Sequence, residues 1–242
     1  MPLLVTATIG IDTVHTPSAK AEGVSGGSCA YFAAAAAFHH KPIRVVGAVG
    51  GDWPREHAIL LESIEGLCLE GLERRTDSKT FAWGGRYFDN MNQRETLFTE
   101  LGVLEEAPPE VPSSYADSRI IFLANSHPSV QLNLLNEFPK RELAVADTMD
   151  LWITIAHEEL LALFKEIDGL IINDSEAEQL TNQSDSIAAA TELLQFGPEF
   201  VIVKKGEHGS VLVHPDGTLV LPAFPLEQSN VVDPTGAGDS FA

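Results

Sequence analysis

The last ten residues constrain this chain most. They read Asp233-Pro234-Thr235-Gly236-Ala237-Gly238-Asp239-Ser240-Phe241-Ala242 and follow the apolar pair Val231-Val232. The valine pair predicts the end of a strand. Pro234 predicts a turn, because proline fixes its own φ and lacks a backbone donor. Gly236-Ala237-Gly238 leaves the backbone almost bare, so a ligand can come close to the main chain. A helix opening there would present N–H groups without intrahelical partners at the positive end of its dipole, which suits phosphate. Asp239 is the odd member, since a carboxylate repels an anion beside it; taking up a proton is the better use for it. Glycine-rich turns and first-turn aspartates also arise for structural reasons, and Gly-x-Gly-Asp alone favours that reading.

Composition narrows the partners. A chain of 242 residues can bury a substantial core as one large domain or two small ones. The formal net charge of -20 argues against a nucleic-acid or anionic-membrane surface, either of which needs clustered Lys and Arg. Backbone amides can still receive a phosphate-bearing ligand locally. Cys29 and Cys68 form no CxxC pair, which fits a reducing compartment. No basic segment precedes Leu3-Leu4-Val5, and the longest apolar run, Cys29 to Phe38, is too short to span a bilayer. A cytoplasmic chain without nucleic-acid or membrane partners is expected.

Along the chain, Leu3 to Ile9 reads as a buried strand ending at Gly10, with Asp12 as a turn carboxylate or an acceptor of ligand hydroxyls. Gly26-Gly27 open an alanine-rich helix that runs to about His39, and serve either ligand approach or close packing. Ile43 to Val49 is a strand before Gly50-Gly51-Asp52, whose spacing does not fit a dinucleotide fingerprint. A helix from Pro54 to Ile64 follows. Between Lys79 and Glu100, Phe81, Trp83, Tyr87 and Phe88 interleave with glycines and Arg86, which predicts a β-hairpin. Strands at Arg119–Leu123 and Leu143–Ala146 flank a helix over Pro128–Phe138, with Asp147 and Asp150 steering ligand or capping a helix. Leu170 to Asn173 is a strand that leads into a helix bearing Glu176. Asn173, Asp174 and Glu176 there are read as caps or as ligand contacts. After a helix around Ile187–Gln195, the strand Phe200–Lys204 leads to Lys205-Gly206-Glu207-His208-Gly209. A hairpin then joins Val211–Val213 to Thr218–Leu221.

The string Asp233 to Ala242 closely resembles the second signature of the ribokinase-like (PfkB) family of carbohydrate kinases. Asn173-x-x-Glu176 resembles that family's metal-phosphate motif, and Gly26-Gly27 its first signature. The resemblance runs along the whole chain. It implies an α/β fold, a ribokinase-like three-layer sandwich with a mostly parallel sheet, plus a small β-sheet lid from about residues 12–25 and 79–103. One kinase domain would span residues 1–242 and lack C-terminal elements that supply the adenine pocket, so a poorly active chain is expected. Carried over residue by residue, Gly236, Ala237 and Gly238 would be an anion hole and Asp239 the base. Asn173, Lys204, Gly206 and Gly209 would face ATP. Glu176 would hold Mg²⁺ through water, and Asp233 would flank a monovalent cation such as K⁺. Asp12, Gly26 and Gly27 would meet the substrate, with Phe81, Trp83 and Arg86 as lid contacts and Gly51 and Asp52 shaping the wall.

One departure stands in the first signature, where Tyr31 replaces the usual Asn and removes a contact to small sugars. The implied reaction transfers the γ-phosphoryl of ATP to a primary hydroxyl of a sugar. One alternative is an adenosine-like nucleoside kinase that stacks a base on Trp83. Another is a binding protein without turnover. A homodimer through the lid follows by analogy.

Overall fold

The computed structural model describes residues 1–6, 8–227 and 230–242. They form two compact units: Pro2–Ala116 with Leu226–Phe241, and Asp117–Pro225 with the terminal residues Met1 and Ala242. The fold is α/β, with a large, mostly parallel sheet and a small second sheet.

In the first unit, β1 (Leu3–Thr6), β4 (Ile43–Gly50) and β5 (Leu67–Arg75) pair in parallel, in that order. β4 is buried along nearly its whole length, as strands covered on both faces are. Four further strands, β2 (Gly10–His15), β3 (Lys20–Gly26), β6 (Phe81–Tyr87) and β7 (Arg94–Glu100), make the small sheet in the order β3-β2-β6-β7. Its outer pairs are antiparallel and the central β2–β6 pair is parallel. Helices α1 (Ser28–Ala36) and α2 (Arg55–Glu62) and two 3-10 turns (Gly102–Glu105 and Ser113–Tyr115) complete the elements up to Ala116.

The first strand is shorter than the sequence predicts. It stops at Thr6, residue 7 lies outside the described residues, and Gly10 opens β2 instead of closing β1. Thr8 explains the break, because its backbone and side chain cap α1 and are not spent on a ladder. Its carbonyl accepts from Cys29 N at 3.1 Å, and its Oγ1 accepts from Ser28 N at 3.4 Å. Gly27 sits here at φ +89, and a Cβ would lie 2.4 Å from the Thr8 carbonyl oxygen, so the position admits glycine alone. β5 is a strand that the sequence reading leaves unassigned.

The second unit contributes β8 (Ile120–Leu123), β9 (Leu143–Asp147), β10 (Gly169–Asn173) and β11 (Phe200–Lys204), paired in parallel. The antiparallel hairpin of β12 (Ser210–His214) and β13 (Gly217–Leu221) adds to β11. Helices α3 (Pro128–Asn136), α4 (Asp150–Ile155), α5 (His157–Phe164), α6 (Asp174–Thr181) and α7 (Ser186–Leu193) alternate with the parallel strands. Leu135, Leu160, Leu163 and Phe164 from the helices are fully buried, as are Ile121, Leu123 and Leu170 from the strands. The chain closes with α8 (Ala237–Phe241), which belongs to the first unit. Val231 and Val232, predicted as a strand end, lie in no strand, and Val232 is exposed. Without a ladder partner, an apolar pair has no reason to extend.

Asp185 caps α7, its Oδ1 accepting from Ile187 N at 3.0 Å and Ala188 N at 2.8 Å. Asp185→Ala should lower the unfolding free energy of the second unit by about 1 kcal/mol, read by urea titration.

Candidate active site

Asp12 lies in β2 and is only 4% exposed, its carboxylate lying against the backbones of Gly10 and Gly26. The sequence reading of it as a turn residue is corrected: strand alternation turns it, with Gly10 and Val14, to the buried face. A Cβ on Gly26 would lie 2.1 Å from Asp12 Cγ, so the bare Gly26 backbone makes room for the carboxylate. The Gly27 N–H donates to this carboxylate. Its Oδ1 is buried and meets no hydrogen-bond partner among the described residues. A buried acceptor left unmet is costly unless something that binds there satisfies it.

Two more carboxylates act on Asp12. Burial raises its pKa, the negative charges of Asp239 and Asp233 raise it further, and the Gly27 N–H lowers it, leaving it at about 7. Asp239 sits in the first turn of α8 and is half-buried, whereas Asp233 is exposed before the turn. The loop between them is ordered by its own bonds. Thr235 N donates to Asp233 Oδ1 at 2.9 Å, Ala237 N to the Pro234 carbonyl at 3.1 Å, and Ser240 N to the Gly236 carbonyl at 2.8 Å. The Ala237 N–H of the expected anion hole is therefore engaged within the turn.

Two tyrosines border this loop. A Cβ on Gly236, at φ +75, would lie 2.4 Å from the Tyr31 ring, so the ring from α1 rests on the glycine backbone. The Tyr31 hydroxyl donates to the Ser25 carbonyl at 3.4 Å. Burial, then the charges of Asp12, Asp233 and Asp239, push its pKa up, so it stays neutral. On the other side, Thr235 Oγ1 donates to Tyr87 Oη at 3.2 Å.

The residues expected in the lid separate by face. Asp12 and Trp83 are register partners across β2 and β6, so they share a face with Phe81, Gly85 and Tyr87. Phe81 packs on Gly10, where a Cβ would meet its ring at 2.9 Å. Trp83 lies over Gly85 and takes the Arg94 guanidinium 5.5 Å from its ring centroid. Arg86 projects from the opposite face and pairs with Glu95 at 2.8 Å, so the structure does not bring it to Asp12.

The second unit holds the other set. Asn173 and Lys204 end adjacent parallel strands as register partners. Asn173 caps α6, its Oδ1 accepting from Glu176 N at 2.8 Å, while Glu176 Oε2 accepts from Asn173 N at 3.1 Å. This closed capping box accounts for both residues structurally and buries Glu176 to 7% exposure. Gly206 takes φ +53 shortly after β11, and Gly209 lies where a Cβ would be 2.0 Å from the Leu221 carbonyl oxygen. Gly209 thus serves close packing under β13.

Among the described residues no three His, Cys, Asp or Glu side chains group as a metal cage. Glu176 alone fits a Mg²⁺ that is held mostly by water and phosphates, which takes one or two carboxylates from a protein. Among the described residues no helix is long and apolar enough to cross a membrane.

Residues 135–242 match the family model described as pfkB family carbohydrate kinase. Over 251 aligned positions the chain is 28% identical to a cytidine kinase of Thermococcus kodakarensis, covering all of this chain and 86% of that protein. These matches make the chain similar to pfkB-family kinases. Kinases of this family are phosphotransferases acting on hydroxyl groups. The fold also matches a nucleoside kinase of Methanocaldococcus jannaschii at TM-score 0.77 and 21% identity, over 99% of this chain and 81% of that one. A putative ribokinase II of E. coli, in complex with ATP and Mg²⁺, matches at TM-score 0.78 and 17% identity, over 99% and 82%.

The terminal signature leads to Asp239, and the place after the first strand leads to Asp12, but neither leads to the two tyrosines around them. Tyr31 is visible in the sequence only as a departure from the pattern, and Tyr87 only as one aromatic of the hairpin.

The pKa of Asp12 has a measurable consequence. Because it is raised on folding from 3.8 to about 7, the folded state holds the proton more tightly, and stability falls as pH rises through that window. Asp12→Asn should therefore gain stability over wild type progressively from pH 4 to pH 8, measured by denaturant unfolding at each pH. A difference that does not vary with pH would contradict the assignment.

Proposed function

We propose that this chain is a kinase of the pfkB type that transfers the γ-phosphoryl of ATP to the primary hydroxyl of a pentose-bearing acceptor, with a nucleoside as the favoured class. The observation that carries the reading is the buried, unmet Asp12 Oδ1 held in the field of Asp239 beside a glycine-rich turn. A polyol acceptor supplies the hydroxyl donors that Asp12 lacks. The full-length likeness to a cytidine kinase supports the nucleoside class.

In this reading Asp239 accepts the proton of the acceptor hydroxyl as its oxygen attacks the γ-phosphorus. The new O–P bond forms while the bond to the β-phosphate oxygen breaks, releasing ADP. The Gly236–Gly238 main chain meets the charge on the transferring group, and Ala237 N–H would turn to it from the Pro234 carbonyl. Asn173, Lys204, Gly206 and Gly209 would face the nucleotide. Glu176 would hold water-bound Mg²⁺, which when present neutralises phosphate charge, and Asp233 would lie beside any monovalent cation. Phe81 and Trp83 would close over the acceptor to exclude water, which otherwise competes as acceptor. The small sheet would serve as the lid, and a dimer through its edge strands stays part of the proposal.

A free sugar is the second reading. Trp83 is engaged by Gly85 and by the Arg94 guanidinium, so stacking a base on it requires Arg94 to move.

ADP release with cytidine, adenosine, inosine, ribose and fructose as acceptors tests both readings. Turnover should depend on one acceptor class, and Asp239→Asn should lower it by about 10²–10⁴-fold. ADP release that ignores the acceptor, or an Asp239→Asn variant within tenfold of wild type, would contradict the assignment.

A further inference from the structure

The loop that carries Asp239 is poorly able to hold itself. Gly236-Ala237-Gly238 offers almost no side chain to pack it in place. The loop also crowds Asp233 and Asp239 towards Asp12, and the three negative charges repel one another. Its internal bonds fix its shape but not its place. Placement must come from neighbours.

Two neighbours meet it within the same unit. Gly236 adopts φ +75, and its backbone lies so close to the Tyr31 ring that a Cβ would come within 2.4 Å of Cγ and Cδ1. The Gly236 carbonyl accepts from Ser240 N, so whatever holds Gly236 holds the first turn of α8 and Asp239 in it. Tyr31 itself stands on α1, whose first turn is fastened to Thr8. One residue earlier in the loop, Thr235 is bonded to Tyr87, which is buried in β6.

We propose that Tyr31 is a positioning residue whose ring seats Gly236 and thereby sets Asp239, with Tyr87 as the second anchor through Thr235. The ring acts by its flat apolar surface and the hydroxyl of Tyr31 is dispensable. The proposal rests on Asp239 being the base, so its test has a readout that needs no turnover.

Hydrogen exchange of amides 235–241 is compared in wild type, Tyr31→Ala, Tyr31→Phe and Tyr87→Phe, beside steady-state kinetics. Tyr31→Ala should speed exchange there at least about tenfold and lower kcat by a similar factor, with acceptor KM within about threefold. Tyr31→Phe, which keeps the ring, should stay within about threefold of wild type in both readouts. Tyr87→Phe should speed exchange by about three- to tenfold, the loss of one hydrogen bond. Exchange in the β4 amides, unchanged in every variant, shows that the unit remains folded. Should Tyr31→Ala not fold, Tyr31→Leu carries the same expectation, since it fills the space without a flat ring. Unchanged exchange at 235–241 in Tyr31→Ala would overturn the proposal. So would a Tyr31→Phe variant as impaired as Tyr31→Ala, or a rise in acceptor KM with kcat kept. Wild-type protein without turnover on any acceptor would instead count against the kinase reading, and the exchange comparison would still decide the role of Tyr31.

Discussion

The first unit of this protein is organised around a buried carboxylate that its surroundings oppose. Asp12 is removed from water, receives one backbone N–H, and lies in the field of two further carboxylates. Burial and the two neighbouring charges disfavour its ionised form, the single N–H offsets them only in part, and the balance is an expense a stable fold would avoid. The surrounding sequence is built to tolerate it. Gly26 gives up a side chain to make space, Gly27 turns its N–H inward, and Thr8 leaves the ladder so that α1 can start where it does. A local conflict kept in place by several independent compensations is the mark of a site retained for chemistry.

The same logic separates the two sets of candidate residues. Around Asp12 and Asp239 the structural reading alone falls short, because an unmet buried acceptor gains nothing for stability. Around Asn173 and Glu176 the capping box explains the geometry fully, and their service to a nucleotide or metal rests on the family pattern. Gly209 belongs with the second case, since close packing on Leu221 already requires it. Phe81 is intermediate, as its ring covers Gly10 on the face that also bears Asp12.

Much of this was legible in the sequence. The apolar runs at 43–49, 170–173 and 200–204 announce covered parallel strands, and the aromatic-glycine hairpin at 81–100 announces the small sheet. The terminal signature announces Asp239. What stayed hidden depended on contacts between distant segments. Nothing local tells that Thr8 would end β1 early to cap α1, or that Val231-Val232 would find no strand to join. β5 alternates apolar and charged residues too weakly to stand out. Tyr31 lies in an alanine-rich helix, and its meaning depends on Gly236, 205 positions later in the chain. Arg86 shows the converse, because its composition suggests a contact and strand alternation sends it to the other face.

Proton-coupled phosphorus NMR of a reaction with ATP and a nucleoside tests the central claim most directly. The account predicts a new phosphomonoester resonance split by two equivalent-type protons of a CH₂–O–P group, growing as ADP forms, with no accumulation of inorganic phosphate. Inorganic phosphate as the sole product, or a phosphoester coupled to a single CH proton, would contradict it.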